Sequence, residues 1–227
     1  MQSIDTDAQF VYNENGLRGK KTVNEVVTDY ILHGKNIVHM KRGDDELHFF
    51  YDAQNRPAVV VYNGTAYAYV KSLQGDIVAI LDEDGNTVVS YGYDAWGTPL
   101  WCTGELAETL GKVQPFRYRG YVFDEETGVY YLRSRYYNAE RCRFVNGDKQ
   151  IGCGKNIIEK NINVYCNNNP ANFVDYNGAH PGDAFLTPDE AAIDFAECYN
   201  ALSISENIEY SAAIYKKTET KYLINYE

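Results

Sequence analysis

The stretch PFRYRGYVFDEETGVYYLRSRYYNAERCRF, residues 115–144, sets six arginines among nine aromatic rings around an acidic turn that ends in glycine. Those residue types can do three things. Guanidinium groups and rings together hold single-stranded nucleic acid through charge and stacking. The carboxylates of DEET can in principle serve as an acid and a base. Alternatively, the arginines stack on rings and pair with carboxylates, joining one protein layer to another. Written as a hairpin with Phe123 opposite Val129, one face carries Arg117, Arg119, Arg133 and Arg135. That register sets Arg119 opposite Arg133 and Arg117 opposite Arg135. Like charges directly opposite destabilise a sheet, so the face needs partners, and Asp124, Asp148 and Asp175 are the candidates. The packing face is the reading adopted. A net charge of −11 argues against a phosphate partner, and carboxylates at turn tips are ordinarily solvated charges.

Other chemistry finds little footing. GDKQIGCGKN lacks the spacing of a phosphate loop, and no serine sits in a GxSxG phrase. His33, His39, His48 and His180 form no HExxH and no close pair in sequence, which predicts surface or turn residues. Five cysteines (Cys102, Cys142, Cys153, Cys166, Cys198) form no CxxC and read as free thiols. No cofactor and no metal site is expected.

The elements that carry these residues are hairpins. A phrase recurs in which an aromatic residue or leucine precedes Asp or Asn and a small polar turn. It occurs as YNENG (Tyr12–Gly16), YDAQN (Tyr51–Asn55), LDEDG (Leu81–Gly85), YDAWG (Tyr93–Gly97) and, one residue longer, FDEETG (Phe123–Gly128). The terminal Gly or Asn accepts positive φ, and the Asp or Asn side chain can fold back on its own backbone. Apolar alternation flanks each phrase, so each reads as a β-hairpin tip. In DIVAILDEDGNTVVSYGY, pairing Leu81 with Thr87 predicts Ala79 opposite Val89 and Ile77 opposite Tyr91, with both faces covered. The 21 tyrosines suit such half-buried pleats. Beyond Arg143 the pattern gives way to Asn- and Gly-rich loops. One helix is predicted, where Thr187, Pro188 and Glu190 form a capping box and Ala192, Phe195, Ala196 and Tyr199 an apolar stripe. A strand over IEYSAAIYKK follows. No apolar run approaches the ~18 residues that span a bilayer, and MQSIDTDAQF has no signal-peptide pattern.

In wording and motif order, SLQGDIVAILDEDGNTVVSYGYDAWG, then PFRYRGYVFDEETGVYYLRSRYYNAERCRFVNGD, then VYCNNNPANFVDYNG, resemble the YD-repeat and Rhs-repeat-associated core family from about Tyr12 to Gly178. The resemblance implies a mainly β chain of stacked antiparallel hairpins with a small α+β tail. It divides into YD-repeat hairpins (1–100), an Rhs core (101–178) and a partial effector-like segment (179–227). It implies a secreted or cell-surface bacterial protein of the polymorphic-toxin kind, whose β-shell encloses a C-terminal effector. Upstream repeats and the downstream effector of the same polypeptide would be the partners, and a signal peptide would lie far upstream. Some such cores cut themselves after a DPxGL-like motif. Here that stretch is DYNGAH, which keeps Asp175 and Gly178, while Asp148 holds the downstream acidic position. Asn138 stands where the family has an aspartate and cannot transfer a proton as a carboxyl group does, so self-cleavage is not expected. The tail resembles a small domain whose complete versions look like JAB-type zinc peptidases, and Glu209 matches their early glutamate, with Glu206 the lesser candidate. No later ligands follow, so the chain is expected to be non-enzymatic. Two alternatives stand beside the shell: the front part of a zinc peptidase effector, and a module that binds cell-surface carbohydrate through exposed tyrosines.

Overall fold

The structure is a computed structural model. It describes residues 7–147, 161–175 and 178, and the backbone of two strands at 212–218 and 221–226. Backbone contacts divide the chain into two compact units, Met1–Arg141 and Cys142–Glu227. Among the described residues no helix is long and apolar enough to cross a membrane.

The first unit is built on a ten-stranded antiparallel meander in strict chain order. Its strands are β1 (Ala8–Tyr12), β2 (Arg18–Val23), β3 (Val26–His33), β4 (Asn36–Arg42), β5 (Asp45–Tyr51), β6 (Pro57–Tyr62), β7 (Thr65–Lys71), β8 (Ile77–Leu81), β9 (Thr87–Tyr93) and β10 (Pro99–Thr103). Side chains alternate between faces along a strand. One face buries Tyr30, Met40, Leu47, Phe49, Val60, Tyr69, Ile80 and Val89, which form a continuous core. The other leaves Ile31 and Phe50 exposed. The expected mainly β, antiparallel architecture is the one observed.

Two turn chemistries join the strands. Two-residue turns close β2–β3, β3–β4, β4–β5 and β6–β7, with positive φ at Asn24 and Glu25, Gly34, Gly43, and Asn63 and Gly64. The other five share one hydrogen-bond pattern. In the DEDG turn, Asp82 Oδ1 accepts the N–H groups of Asp84 and Asn86 at 3.0 and 2.8 Å, and Gly85 N–H donates to the Asp82 carbonyl. Asn13, Asp52 and Asp94 do the same in their turns. So does the hydroxyl of Ser72 in SLQG, a turn the Asp/Asn phrase does not announce. FDEETG departs from the pattern: Thr127 and Gly128 N–H reach the Asp124 carbonyl, and the Asp124 side chain is engaged elsewhere.

Each of the five turns is followed by the same irregularity. The closing pair (Tyr12–Arg18, Tyr51–Pro57, Lys71–Ile77, Leu81–Thr87, Tyr93–Pro99) is in place, and then one extra residue enters the outgoing strand. A bulge of one residue moves the rest of the strand to the opposite face. Arg18 and Lys21, Pro57 and Val60, and Ile77 and Ile80 are therefore buried together at a spacing of three. The same bulge corrects the register expected for DIVAILDEDGNTVVSYGY. Leu81 does pair with Thr87, but Val88 is the extra residue, so Ile80 faces Val89 and Ala79 faces Ser90. Val88 and Val89 are both buried.

Beyond β10 come a helical turn at Leu110–Val113, a 3-10 turn at Tyr118–Gly120, and three short antiparallel strands, β11 (Val122–Asp124), β12 (Val129–Tyr131) and β13 (Tyr136–Asn138). In the second unit, β14 (Arg143–Phe144) bridges to Val164, and the Phe144 and Tyr165 rings pack edge to face at 5.7 Å. There β15 (Ala212–Thr218) and β16 (Lys221–Tyr226) form an antiparallel hairpin. The expected strand over IEYSAAIYKK overlaps β15, and the helix expected at Thr187–Tyr199 lies outside the described residues.

Candidate functional site

Residues 104–141 lie across the buried face of the meander. Phe116 drops its ring among Phe49, Tyr51 and Tyr69, with near-perpendicular contacts at 5.0–6.3 Å. Beside it, fully buried Gln114 satisfies its whole amide. Its oxygen accepts from Tyr69 Oη and from Phe116 N–H, and its NH2 donates to Tyr91 Oη and the Phe116 carbonyl. Burial raises the Tyr69 phenol well above its ordinary value and pushes Tyr91 up to about 12. Three tyrosines of this covering layer also cap one turn: Tyr118, Tyr137 and Tyr130 donate to the carbonyls of Ala95, Trp96 and Gly97 at 2.6–2.9 Å. Here the tyrosines act as apolar bodies with polar tips.

The opening arginines occupy this layer in an arrangement different from the one expected. The hairpin register is one residue off: Phe123 faces Tyr130 and Asp124 faces Val129. Arg117 and Arg119 precede β11, and Arg133 and Arg135 lie between β12 and β13, so the expected like-charge pairs across the ladder do not form. Arg119 and Arg133 have φ of 55° and 68°, a left-handed backbone that ends strand pairing. Arg117, which is buried, donates to the carbonyls of Gly111, Gln114 and Phe116 and stacks 4.4 Å above the Tyr91 ring. Arg119 sits over the Tyr118 ring at 5.1 Å, and its backbone N–H donates to Asp76 Oδ1 at 2.9 Å. Half-buried Arg133 has its pKa lowered by burial, offset in part by Tyr51 and Tyr131. Arg135 is buried, and its carbonyl accepts from Leu132 N–H.

Of the three expected counter-ions, Asp124 pairs with residues the sequence reading did not single out. Its carboxylate is fully buried and takes both ends of the Arg18 guanidinium at 2.5 and 3.0 Å, and Lys21 Nζ at 3.0 Å. Lys21 reaches on to Glu126 at 2.8 Å, and Arg42 reaches Glu126 at 3.0 Å. Arg18 also stacks over Tyr131 at 4.4 Å, with Tyr30 and Phe10 at 5.2 and 5.3 Å. Burial, the largest single influence, would lower the Arg18 and Lys21 pKa values, and the Asp124 charge together with Tyr30 and the side-chain hydrogen bonds outweighs it, so both are raised. The bulge at Gly19 puts Arg18 and Lys21 on one face; an Arg and a Lys three apart, just after a YD turn, are the signal that could have found them.

Asp175 is buried, and its Oδ1 accepts Gly178 N–H at 2.8 Å. Asp148, Glu206 and Glu209 lie outside the described residues, as do Cys153, Cys198 and His180. Cys102 is a free, exposed thiol, and Cys166 is buried. The described histidines lie at the surface, half-buried at His39 and exposed at His48, and the fold pairs two that are nine residues apart in sequence: His39 and His48 face each other across β4 and β5, with ring centroids 4.5 Å apart. The two-residue turn at Gly43 and Asp44 sets that register. Arginines capped by carbonyls and a carboxylate neutralised by buried cations fix a covering layer to a sheet.

No family model matches the chain. In sequence it is similar to the tRNA nuclease WapA of Bacillus subtilis (strain 168), 38% identical over 175 residues, which are 75% of this chain and 7% of that protein. The chain spans about 7% of the length of the WapA relatives it matches. In fold it is similar to TcdB2–TccC3 lacking the hypervariable C-terminal region, with a TM-score of 0.61 at 17% identity, over 78% of this chain and 9% of that one. It is likewise similar to the Photorhabdus luminescens Tc holotoxin pore carrying a TccC3 mutation, with a TM-score of 0.59 at 17% identity, over 82% and 9%. The chain therefore has the β-fold of a segment of the Tc toxin structures, in support of the YD/Rhs-like core that its motifs resemble.

Proposed function

We propose that this chain is a structural segment of a toxin-associated β-shell, in which a YD-repeat sheet is lined and closed by an Rhs-type layer. The observation that carries the reading is the meander itself. Ten strands run in chain order, β1 and β10 each pair on one side only among the described residues, and residues 104–141 cover one face. Such a sheet extends by adding further hairpins at its edges. Similarity to the Tc toxin structures supports a toxin-associated role, and similarity to WapA supports an effector carried on the same polypeptide. On this reading the longer protein is secreted or displayed at the cell surface, the shell encloses a C-terminal effector, and this segment is not itself an enzyme. In that role Asp175 holds the Gly178 turn rather than cutting the chain.

The test uses the longer polypeptide with its natural flanking sequence. The downstream segment should resist added protease when the shell is intact and become sensitive when Asp124→Asn loosens it. Equal sensitivity in both would count against enclosure. The purified chain should remain one band on a denaturing gel, and a break near Gly178 would overturn the non-enzymatic reading.

A further inference from the structure

The outer face of the meander carries a cluster unrelated to the covering layer. The two-residue turn after Arg42 pairs Arg42 with Asp45, Lys41 with Glu46, Met40 with Leu47 and His39 with His48. Met40 and Leu47 are buried, so their neighbours His39, Glu46 and His48 share the opposite face. His39 Nε2 lies 3.0 Å from Glu46 Oε1, and His48 Nε2 lies 3.6 Å from the same oxygen. All three donor atoms fall within 4.8 Å of one another.

We propose that His39, Glu46 and His48 bind a divalent transition cation of the zinc type. Zinc–nitrogen and zinc–oxygen bonds of about 2.0–2.1 Å in a tetrahedron put ligand atoms about 3.3–3.4 Å apart. The two edges to the Glu46 oxygen, 3.0 and 3.6 Å, bracket that value, and the third lies within 4.8 Å, so side-chain rotations complete the site. Two imidazoles and one carboxylate select zinc, copper or nickel over magnesium or calcium, which prefer all-oxygen sets. The backbone beneath is pinned: Glu46 N–H donates to Asn63 Oδ1, and Asn63 N–H donates to the Glu46 carbonyl, each at 2.9 Å. Ile31 opposite His39 and Val61 opposite His48 flank the imidazoles with apolar side chains. Lys41, across from Glu46, is the one cation facing it on the ladder, and Asp29 lies opposite Lys41 in turn. Three protein donors leave a fourth position for water or for a donor from another segment, so the ion acts as a clip across β4 and β5.

Titration of the purified chain with zinc chloride by calorimetry, and with cobalt(II) by absorption, tests this. One ion per chain is expected, with a cobalt spectrum free of thiolate charge transfer. Loss of a hydrogen-bond partner behind a metal ligand alone costs about 10–100-fold in affinity, so His39→Ala and His48→Ala should each weaken binding by at least about tenfold, while His33→Ala leaves it unchanged. Nuclear magnetic resonance of the unmutated chain should show the imidazole signals of His39 and His48 shifting together on zinc addition. Binding that survives both substitutions, a thiolate band in the cobalt spectrum, or unmoved histidine signals would overturn the proposal.

Discussion

Arg18 and Asp124 meet through two parallel hydrogen bonds across 106 positions of sequence, with both side chains essentially removed from water. One comes from the first turn of the meander and the other from the tip of the covering hairpin, so the pair joins the two ends of the first unit. Lys21 on the same carboxylate gives the buried site a net positive charge, which Glu126 balances. Removing the carboxylate leaves two cations buried. Asp124→Ala should lower stability by about 3–5 kcal/mol, since breaking a buried pair strands its partner. Arg18→Met combined with Asp124→Leu should recover much of that loss. Denaturant midpoints of the two variants and the unmutated chain check it, and a double variant no better than the single would remove the pair from this role.

Acid and base should each weaken the clamp. Burial raises the Glu126 pKa, but the Lys21 hydrogen bond and charge lower it further, below 4.5. Its stabilisation is present above 4.5 and is lost as pH falls through the lower folded value. Asp52 and Asp82, also lowered, act in the same direction. Lys21 is raised above 10.5, so its contribution is full below that pH and is lost as pH rises through the folded value. Buried Tyr91, at about 12 against 10.0, adds to the alkaline loss from pH 10.0 upward. Stability measured across pH should fall at both ends, and Glu126→Gln should flatten the acid limb.

The turns separate backbone strain from packing. Gly85 has φ of 84° with open space around its missing Cβ, whereas at Gly97, φ 92°, a Cβ would lie 2.5 Å from the Tyr118 ring. Gly85→Ala should cost about 1 kcal/mol, from the left-handed backbone alone. Gly97→Ala should cost about 1–3 kcal/mol more, because the ring must move. Thermal melts of the two variants compare them directly, and equal losses would mean that Tyr118 does not press on the turn.

Arg117→Lys keeps the charge but replaces a planar fork that serves three carbonyls with a single ammonium group. At least one buried carbonyl then loses its donor, at about 1–3 kcal/mol. A stability loss in Arg117→Lys close to that of Arg117→Met would show that the fork, rather than the charge, matters there. A harmless Arg117→Lys would refute it.

What the sequence determined by itself is local. Asn13, Asp52, Asp82 and Asp94 sit where their side chains close their own turns, because each of those bonds spans four residues or fewer. Ser72 makes the same turn with a hydroxyl, a weaker signal within the same chemistry. What only the tertiary structure decided depends on which strands meet. One extra residue after each of the five longer turns reverses the side chains that follow, which put Lys21 on the buried face beside Arg18, and the pairing of β4 with β5 brought His39 and His48 together. It also turned the expected arginine ladder into separate caps, because left-handed backbone at Arg119 and Arg133 ends the pairing there. A turn is held by atoms that are neighbours along the chain. The partner of a buried charge is chosen by the packing of strands a hundred residues apart, and nothing in the local sequence around Asp124 names Arg18.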